Sequence, residues 1–313
     1  MTTPQEPIGS GFGHDSTATE VIGGRSLAGQ YAVVTGGYSG LGLATVEALV
    51  AAGAEVVVPA RRPEEARKAL EHLPAVTVEA MDLANLESVK RFADGLVAAG
   101  RHVDMLIGSA GIMATPEMRV GPGWEGQFAT NHLGHFVLVN ALWPVLKGGA
   151  RVALTSSGAH GITDIRWDDV HFERGYDKWQ AYGQSKAANV LCAVELDRLG
   201  APHGVRAFAI DPGAILTPLQ RHLTREEMMA NGWVDAEGRG LDPNFKTPEQ
   251  GAATQVWAAT SPQLAGMGGV YCVDCEIAVL GQGGVKAYAV DAESAKRLWT
   301  MSVEMTEVDG FGE

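Results

Sequence analysis

The sequence predicts an α/β fold: a single doubly wound domain with a central, mainly parallel seven-stranded sheet flanked by helices. Three observations predict it. From Tyr31 onward, short β-branched runs alternate with helix-period stretches. The strand runs are continuously apolar, as in YAVVT at 31–35, which is the pattern of parallel strands covered on both faces. A glycine-rich turn, Thr35-Gly36-Gly37-Tyr38-Ser39-Gly40-Leu41-Gly42, joins the first strand to the first helix.

In chain order, residues 1–28 read as an extension, with Thr17-x-x-Glu20 as a capping box opening a short helical turn. Strand 31–35 is followed by helix 41–52, closed by Gly53 just past its end. Strand 55–58, helix 64–73, strand 76–80, helix 86–99 and strand 105–109 continue the series. A long helix is expected across 126–146, then strand 151–155, helix 182–199, strand 205–210, helix 248–260 and a strand near 270–273. The domain so defined spans 29–280, and 281–313 is a C-terminal extension with one helix, 291–308. Two long segments break the rhythm, 158–181 and 214–247. The second carries Leu216, Leu219, Leu223, Met228, Met229, Trp233 and Phe245, too apolar for a solvated linker. It reads as a lid over an apolar ligand, with an oligomer contact as the alternative.

The chain of 313 residues is 46% hydrophobic and 19% charged, which excludes wholesale disorder. A net charge of −13, with no basic cluster, makes nucleic acid an unsuitable partner. No apolar run reaches the ~18–20 residues that a transmembrane helix needs, so no membrane partner is expected. The N-terminus has neither the basic nor the apolar stretch of a signal peptide. Cys192 lies in a helical pattern, and Cys272 and Cys275, a lone CxxC with no second pair, are read as two reduced thiols beside a late strand of a cytoplasmic protein. His132 and His135 lie three apart on a helix, but no third ligand stands at a metal-binding spacing, so packing is expected and no metal. Trp143, Trp167, Trp179 and Trp257 are read as core.

Glycine after a first strand lets the backbone approach a dinucleotide pyrophosphate at a helix N-terminus. This assigns Gly36, Tyr38, Ser39, Gly40, Leu41 and Gly42 to a cofactor site. NAD sites place an acid at the end of the second strand to bind the ribose hydroxyls. Here the run is Pro59-Ala60-Arg61-Arg62, with Ala60 where the acid would fall. Guanidinium matches phosphate in charge and geometry, so Arg61, with Arg62 and Ser39, is read as holding the 2′-phosphate of NADP(H). A solvated arginine pair is the alternative. Asp82-Leu83, after the third strand, is placed at the adenine.

Tyr182 and Lys186 are four apart on a helix and project together. A phenol with an ordinary pKa near 10 needs an adjacent cation to act as acid or base at neutral pH. Thr155-Ser156-Ser157 ends the preceding strand, and a serine hydroxyl there suits a substrate oxygen. Asn131 sits on the helix before that strand.

These residues together resemble the short-chain dehydrogenase/reductase superfamily over roughly 27–279. The resemblance rests on TGxxxGxG at 35–42, Asp82, Asn131, Ser157, Tyr182 with Lys186, and Asp211-Pro212-Gly213 with Thr217. STATEV before LAGQ, PARRPEEA, NHLGHF, the long stretch between Ser157 and Tyr182, and AKRLW near the end are similar to the retinol-dehydrogenase-like and WW-domain-oxidoreductase-like branch. The resemblance implies a Rossmann fold and four catalytic residues, Asn131, Ser157, Tyr182 and Lys186. Tyr182 would transfer the proton, and Lys186 would lower its pKa and bind the nicotinamide ribose. Ser157 would steady the substrate oxygen, and Asn131 would hold a water. Pro212, Gly213 and Thr217 would position the nicotinamide. The family usually has Asn-Ala-Gly after the fourth strand. Here it is Ser109-Ala110-Gly111, and serine is too short for the usual backbone hydrogen bonds to neighbouring strands. All three remain placed at the cofactor.

The implied activity is NADP(H)-dependent interconversion of a hydrophobic, aromatic or bulky secondary alcohol and its ketone or aldehyde. A regulatory cofactor-binding protein without turnover and an NAD-dependent dehydrogenase are the alternatives. His160, three residues after Ser157, and Leu216, Leu219, Met228 and Trp233 of the lid are the candidate substrate-lining residues. The family also implies a homo-oligomer, dimer or tetramer.

Overall fold

A computed structural model describes residues 3–281 and 283–311. Its main sheet contains β1 Tyr31–Thr35, β2 Glu55–Ala60, β3 Val76–Ala80 and β4 Met105–Gly108. Strands β5 Arg119–Val120 and β6 Trp124–Glu125 form a separate two-stranded ladder. The main sheet continues with β7 Arg151–Thr155, β8 Arg206–Asp211, β9 Val270–Val273 and β10 Glu276–Ile277. Its order is β10-β9-β8-β7-β4-β1-β2-β3. All pairings are parallel except β9 with β10. The sheet therefore has eight strands and not the seven expected. The extra strand hangs on a two-residue turn, Asp274 and Cys275, both with positive φ (51° and 58°). Asn-Gly is the usual signal for that turn, and it is missing here.

Alternate residues of each strand feed opposite faces, as the two-residue side-chain period requires. Val34 packs with Val46, Leu49, Val58 and Trp257 on one face. Val33 packs with Leu106, Phe136, Val152 and Leu196 on the other. Helix α1 Ala18–Ile22 opens with the Thr17/Glu20 capping box and buries Val21 and Ile22 in the first of these cores. Ahead of it, Gln5 Nε2 donates to the carbonyls of Tyr271 and Ala278. The amides of Ile8 and Ser10 donate to the Glu276 carboxylate, at 2.7 and 2.8 Å. The N-terminal segment thus straps the β9–β10 edge, which would otherwise expose strand hydrogen-bonding groups.

Helices α2 Gly40–Ala51, α3 Pro63–Ala69 and α4 Leu86–Ala99 follow β1, β2 and β3. Helix α3 ends four residues earlier than expected, with its C-cap at Leu70, which leaves helical geometry (φ −105°) while its amide closes the last turn on the Ala66 carbonyl. The expected helix over 126–146 is broken. It comprises α5 Gly126–Phe128, a π-helical turn Ala129–Leu133, α6 Gly134–Ala141 and α7 Trp143–Leu146, the last with Pro144 in its first turn. Helix α8 Lys178–Gly200 starts one turn before the expected residue. The Asp177 carboxylate accepts from the amides of Trp179 and Gln180 and caps it there. Tyr182 thus lies inside the helix and does not open it. The segment 214–247 holds a 3₁₀ turn, Pro218–His222, and helix α9 Arg225–Ala230. Helices α10 Pro248–Thr260 and α11 Ala292–Thr306 complete the chain. None of the described helices is long and apolar enough to cross a membrane. All three cysteines are buried and unpaired.

Candidate active site

The strand order reverses between β1 and β4, and open α/β sheets leave a crevice at that point. A cleft of about 790 Å³ lies there, over the C-terminal ends of β1, β4, β7 and β8. The glycine-rich turn forms one wall. Gly36 has φ +68°, and a Cβ on Gly42 would fall 2.2 Å from the Gly36 carbonyl oxygen, so helix and strand meet there without side chains. Ser39 occupies the N-cap of α2 but makes no capping hydrogen bond, which leaves its hydroxyl unspent at the helix N-terminus.

Below the turn, neutral groups are wired together. The Ala110 amide donates to Thr35 Oγ1 (3.0 Å), Thr35 Oγ1 meets His135 Nε2 (2.9 Å), and His135 Nδ1 donates to the Asn131 carbonyl (2.9 Å). Burial drives the His135 pKa down to about 4, so the ring is neutral. His132 turns the other way, to Ser302 Oγ on α11 (2.8 Å), so the two histidines do not converge. Ser109 is met by Gln255 of α10. Its Nε2 reaches Thr45 Oγ1 and Ser109 Oγ, and its Oε1 accepts from Thr155 Oγ1, which ties the ends of β4 and β7 to α2.

At the other end of the cleft stand Ser157, Tyr182 and Lys186. Ser157 caps a 3₁₀ turn, accepting from the Ala159 amide at 3.2 Å. Lys186 Nζ lies 5.6 Å from the Tyr182 ring centroid and donates to the Thr155 carbonyl at 3.0 Å. Burial lowers its pKa to about 8, with the Asp211 carboxylate pulling the other way. The Tyr182 phenol is pushed well above the ordinary tyrosine range, by burial first. Ser157 opposes that shift and Asp211 adds to it. The phenol is therefore protonated at neutral pH. Asp211 is held by Tyr271 Oη (2.8 Å) and the Gly213 amide (3.0 Å).

Most of the expected residues line the cleft: Gly36, Tyr38 to Gly42, Arg61, Arg62, Asp82, Leu83, Ser109 to Gly111, Pro212, Gly213 and Thr217. Arg62 is drawn to Glu65 at 2.9 Å, which leaves Arg61 as the freer guanidinium. Of the substrate candidates, Leu219 and Trp233 line the cleft, while His160, Leu216 and Met228 do not. His160 is buried with its ring 4.7 Å from that of Tyr271, and it accepts from the Lys286 amide at 3.2 Å. Met228 packs one layer back, in a cluster with Tyr182, Met113 and Leu223. Asn131 also stands behind the wall. Its amide donates to the Ile112 carbonyl and Ser185 Oγ (both 2.9 Å) and accepts from the Ile112 amide, so it positions segments and does not face the cleft. Trp179, expected in the core, lies in the wall, 6.0 Å from the Trp233 ring and 6.4 Å from that of Tyr182. Its place three residues before Tyr182 is the sequence signal that could have found it. Arg221 and Asp211 also line the cleft.

The short chain dehydrogenase family model matches residues 30–228. A protein described as a probable oxidoreductase of Streptomyces antibioticus is 49% identical over 290 residues, 87% of this chain and 96% of that one. Retinol dehydrogenase 14 of Homo sapiens is 34% identical over 303 residues, 88% of this chain and 86% of that one. A crystal structure of an uncharacterized protein from Mycobacterium paratuberculosis superposes with a TM-score of 0.75 at 31% identity, covering 96% of this chain and 100% of that one. The chain belongs to the short-chain dehydrogenase/reductase superfamily, in its retinol-dehydrogenase-like branch. It is an oxidoreductase by family, and that family uses nicotinamide cofactors.

Proposed function

We propose that this protein is an NADP(H)-dependent oxidoreductase interconverting a bulky hydrophobic alcohol and its carbonyl compound. One observation carries the reading. Ser157, Tyr182 and Lys186 converge at one end of a single cleft whose other end is the glycine turn with Arg61. The residues fit the cofactor. The bare backbone at Gly36 and Gly42 and the unspent Ser39 hydroxyl suit its pyrophosphate. Arg61, without a carboxylate partner among the described residues, suits a 2′-phosphate, and Asp82 keeps a carboxylate at the adenine end, Oδ1 accepting from the Ala84 amide.

The bound nicotinamide supplies or accepts the hydride. The chain supplies the rest. In the direction of reduction, Tyr182 Oη gives its proton to the carbonyl oxygen while Ser157 Oγ donates a hydrogen bond to it. The Lys186 ammonium stabilises the phenolate left behind. Met113, Ile162, Trp179, Leu219, Trp233 and Phe245 make the substrate end apolar and exclude water.

A panel of bulky aromatic ketones and aldehydes, followed by loss of NADPH absorbance, tests the activity; no turnover across it contradicts the reading. The proton step has its own signature. Lys186 loses its charge near pH 8 in the free protein. Since kcat/KM reports ionisations of free enzyme, kcat/KM for NADPH falls as pH rises through about 8. A profile flat well beyond that pH would show that the Lys186 charge is not needed.

A further inference from the structure

We propose that Arg221, carried on the lid, completes the phosphate site begun by Arg61, so that the 2′-phosphate of NADP(H) also fixes the lid over the substrate end of the cleft. This rests on the NADP(H) reading above.

The first turn of the lid sits directly on the glycine-rich turn: a Cβ on Gly40 would lie 3.2 Å from Thr217 Cγ2. That turn is stiff. Thr217 caps Pro218–His222, the Gln220 side chain accepts from the Thr217 amide at 2.9 Å, and it donates to the Ile215 carbonyl at 2.7 Å. Arg221 Nη1 donates to the Pro218 carbonyl at 3.1 Å. Arg221 shares the cleft wall with Tyr38, Arg61 and Arg62, and burial first, then the charge of Arg61 and to a lesser degree of Arg62, lowers the pKa of its guanidinium.

The charges there do not balance. Arg62 has Glu65, but neither Arg61 nor Arg221 has a carboxylate partner among the described residues. Two like charges facing one cleft repel, and a dianion between them turns that repulsion into attraction. The same short segment reaches the reacting end. Leu219 lines the cleft, and Leu223, two residues past Arg221, is buried against Tyr182 and Met113. Further on, Glu227 of α9 pairs with Lys178 at the start of α8. A phosphate that holds Arg221 therefore holds the wall beside the phenol.

The test uses calorimetric titration of wild type, Arg221→Gln and Arg61→Gln with NADPH, NADH and 2′,5′-ADP, the last carrying the phosphate without the nicotinamide. Hydrogen–deuterium exchange across residues 216–230 is read in parallel. Arg221→Gln should weaken NADPH and 2′,5′-ADP about tenfold, the loss of one charged hydrogen-bonding partner, and change NADH by less than about twofold. In wild type, 2′,5′-ADP alone should slow exchange across the lid, and in Arg221→Gln it should not. Arg221 is exposed, so the variant should unfold at the wild-type temperature. If wild type prefers NADPH and Arg221→Gln keeps that preference in full, or 2′,5′-ADP leaves lid exchange unchanged, the role of Arg221 is refuted while the cofactor reading stands. If wild type binds NADH as tightly as NADPH, both fall.

Discussion

Tyr182→Phe should abolish nearly all turnover while leaving NADPH affinity within about twofold of wild type. The ring is buried among Met113, Ala114 and Leu223, and phenylalanine keeps that packing. Only the hydroxyl is lost, and in this account the hydroxyl carries the proton. Removing a positioned acid typically costs about 10²–10⁴-fold in rate, so a fall of about a thousandfold is expected. Stability should hold or rise, because the variant no longer buries a phenolic oxygen. Steady-state kinetics beside calorimetric titration separates the two effects. Near-normal turnover would remove Tyr182 from the mechanism, and a parallel loss of NADPH binding would make its role structural.

Gly42→Ala should be the most damaging single methyl group in the cofactor wall. Alanine in place of glycine inside a helix ordinarily gains about 1 kcal/mol. Here the new Cβ would lie 2.2 Å from the Gly36 carbonyl oxygen, 2.7 Å from its carbon and 3.1 Å from Gly37 Cα. All three are backbone atoms, so α2 must retreat from β1. Overpacking of this kind costs about 1–3 kcal/mol or more, which outweighs the helix gain. The retreat also pulls the helix N-terminus away from the pyrophosphate. NADPH affinity should fall at least about a hundredfold, ~3 kcal/mol. Urea unfolding and titration check the two parts; a variant more stable than wild type with intact binding would show that the close approach is not real.

The parts of the fold legible in the sequence are those fixed by local chemistry. The strands at 31–35, 76–80 and 151–155 and the helix at 86–99 carry their own periodicity and caps, and the structure places them at those residues. What escaped is set by geometry at a distance, or by chemistry that differs from the usual signal. Strand β10 follows an Asp-Cys turn that no glycine announces. The helix over 126–146 reads as continuous because its apolar residues run on, yet a π-helical turn at Ala129–Leu133 interrupts it. That turn carries Asn131, whose amide brackets Ile112. The lid reads as irregular, although the capping pattern found at Thr17-x-x-Glu20 recurs at Thr217-x-x-Gln220, Thr224-x-x-Glu227 and Thr247-x-x-Gln250, and all three form capping boxes.

The candidate site divides the same way. The glycine turn, Ser157, Tyr182 and Lys186 are recognisable because each role demands a particular residue at a particular spacing. Apolar lining is not, because many residues satisfy it. Leu219 and Trp233 reach the cleft while Leu216 and Met228, on the same lid, do not. His160 turns inward to Tyr271 because its 3₁₀ turn carries it past the cleft wall. Arg221 and Asp211 gain their meaning only from what the fold brings beside them.

A cleft built for a nicotinamide cofactor bearing a 2′-phosphate should be stabilised by NADPH far more than by NADH. Thermal unfolding of the wild-type protein with NADPH, and separately with the same concentration of NADH, measures that difference. A ligand at ~100 times its dissociation constant adds about 2.7 kcal/mol, a rise of about 4 °C for a chain of this size. That rise is expected with NADPH, and little change with NADH. An equal or larger rise with NADH would contradict the phosphate site at Arg61, and no rise with either would contradict the cofactor site itself.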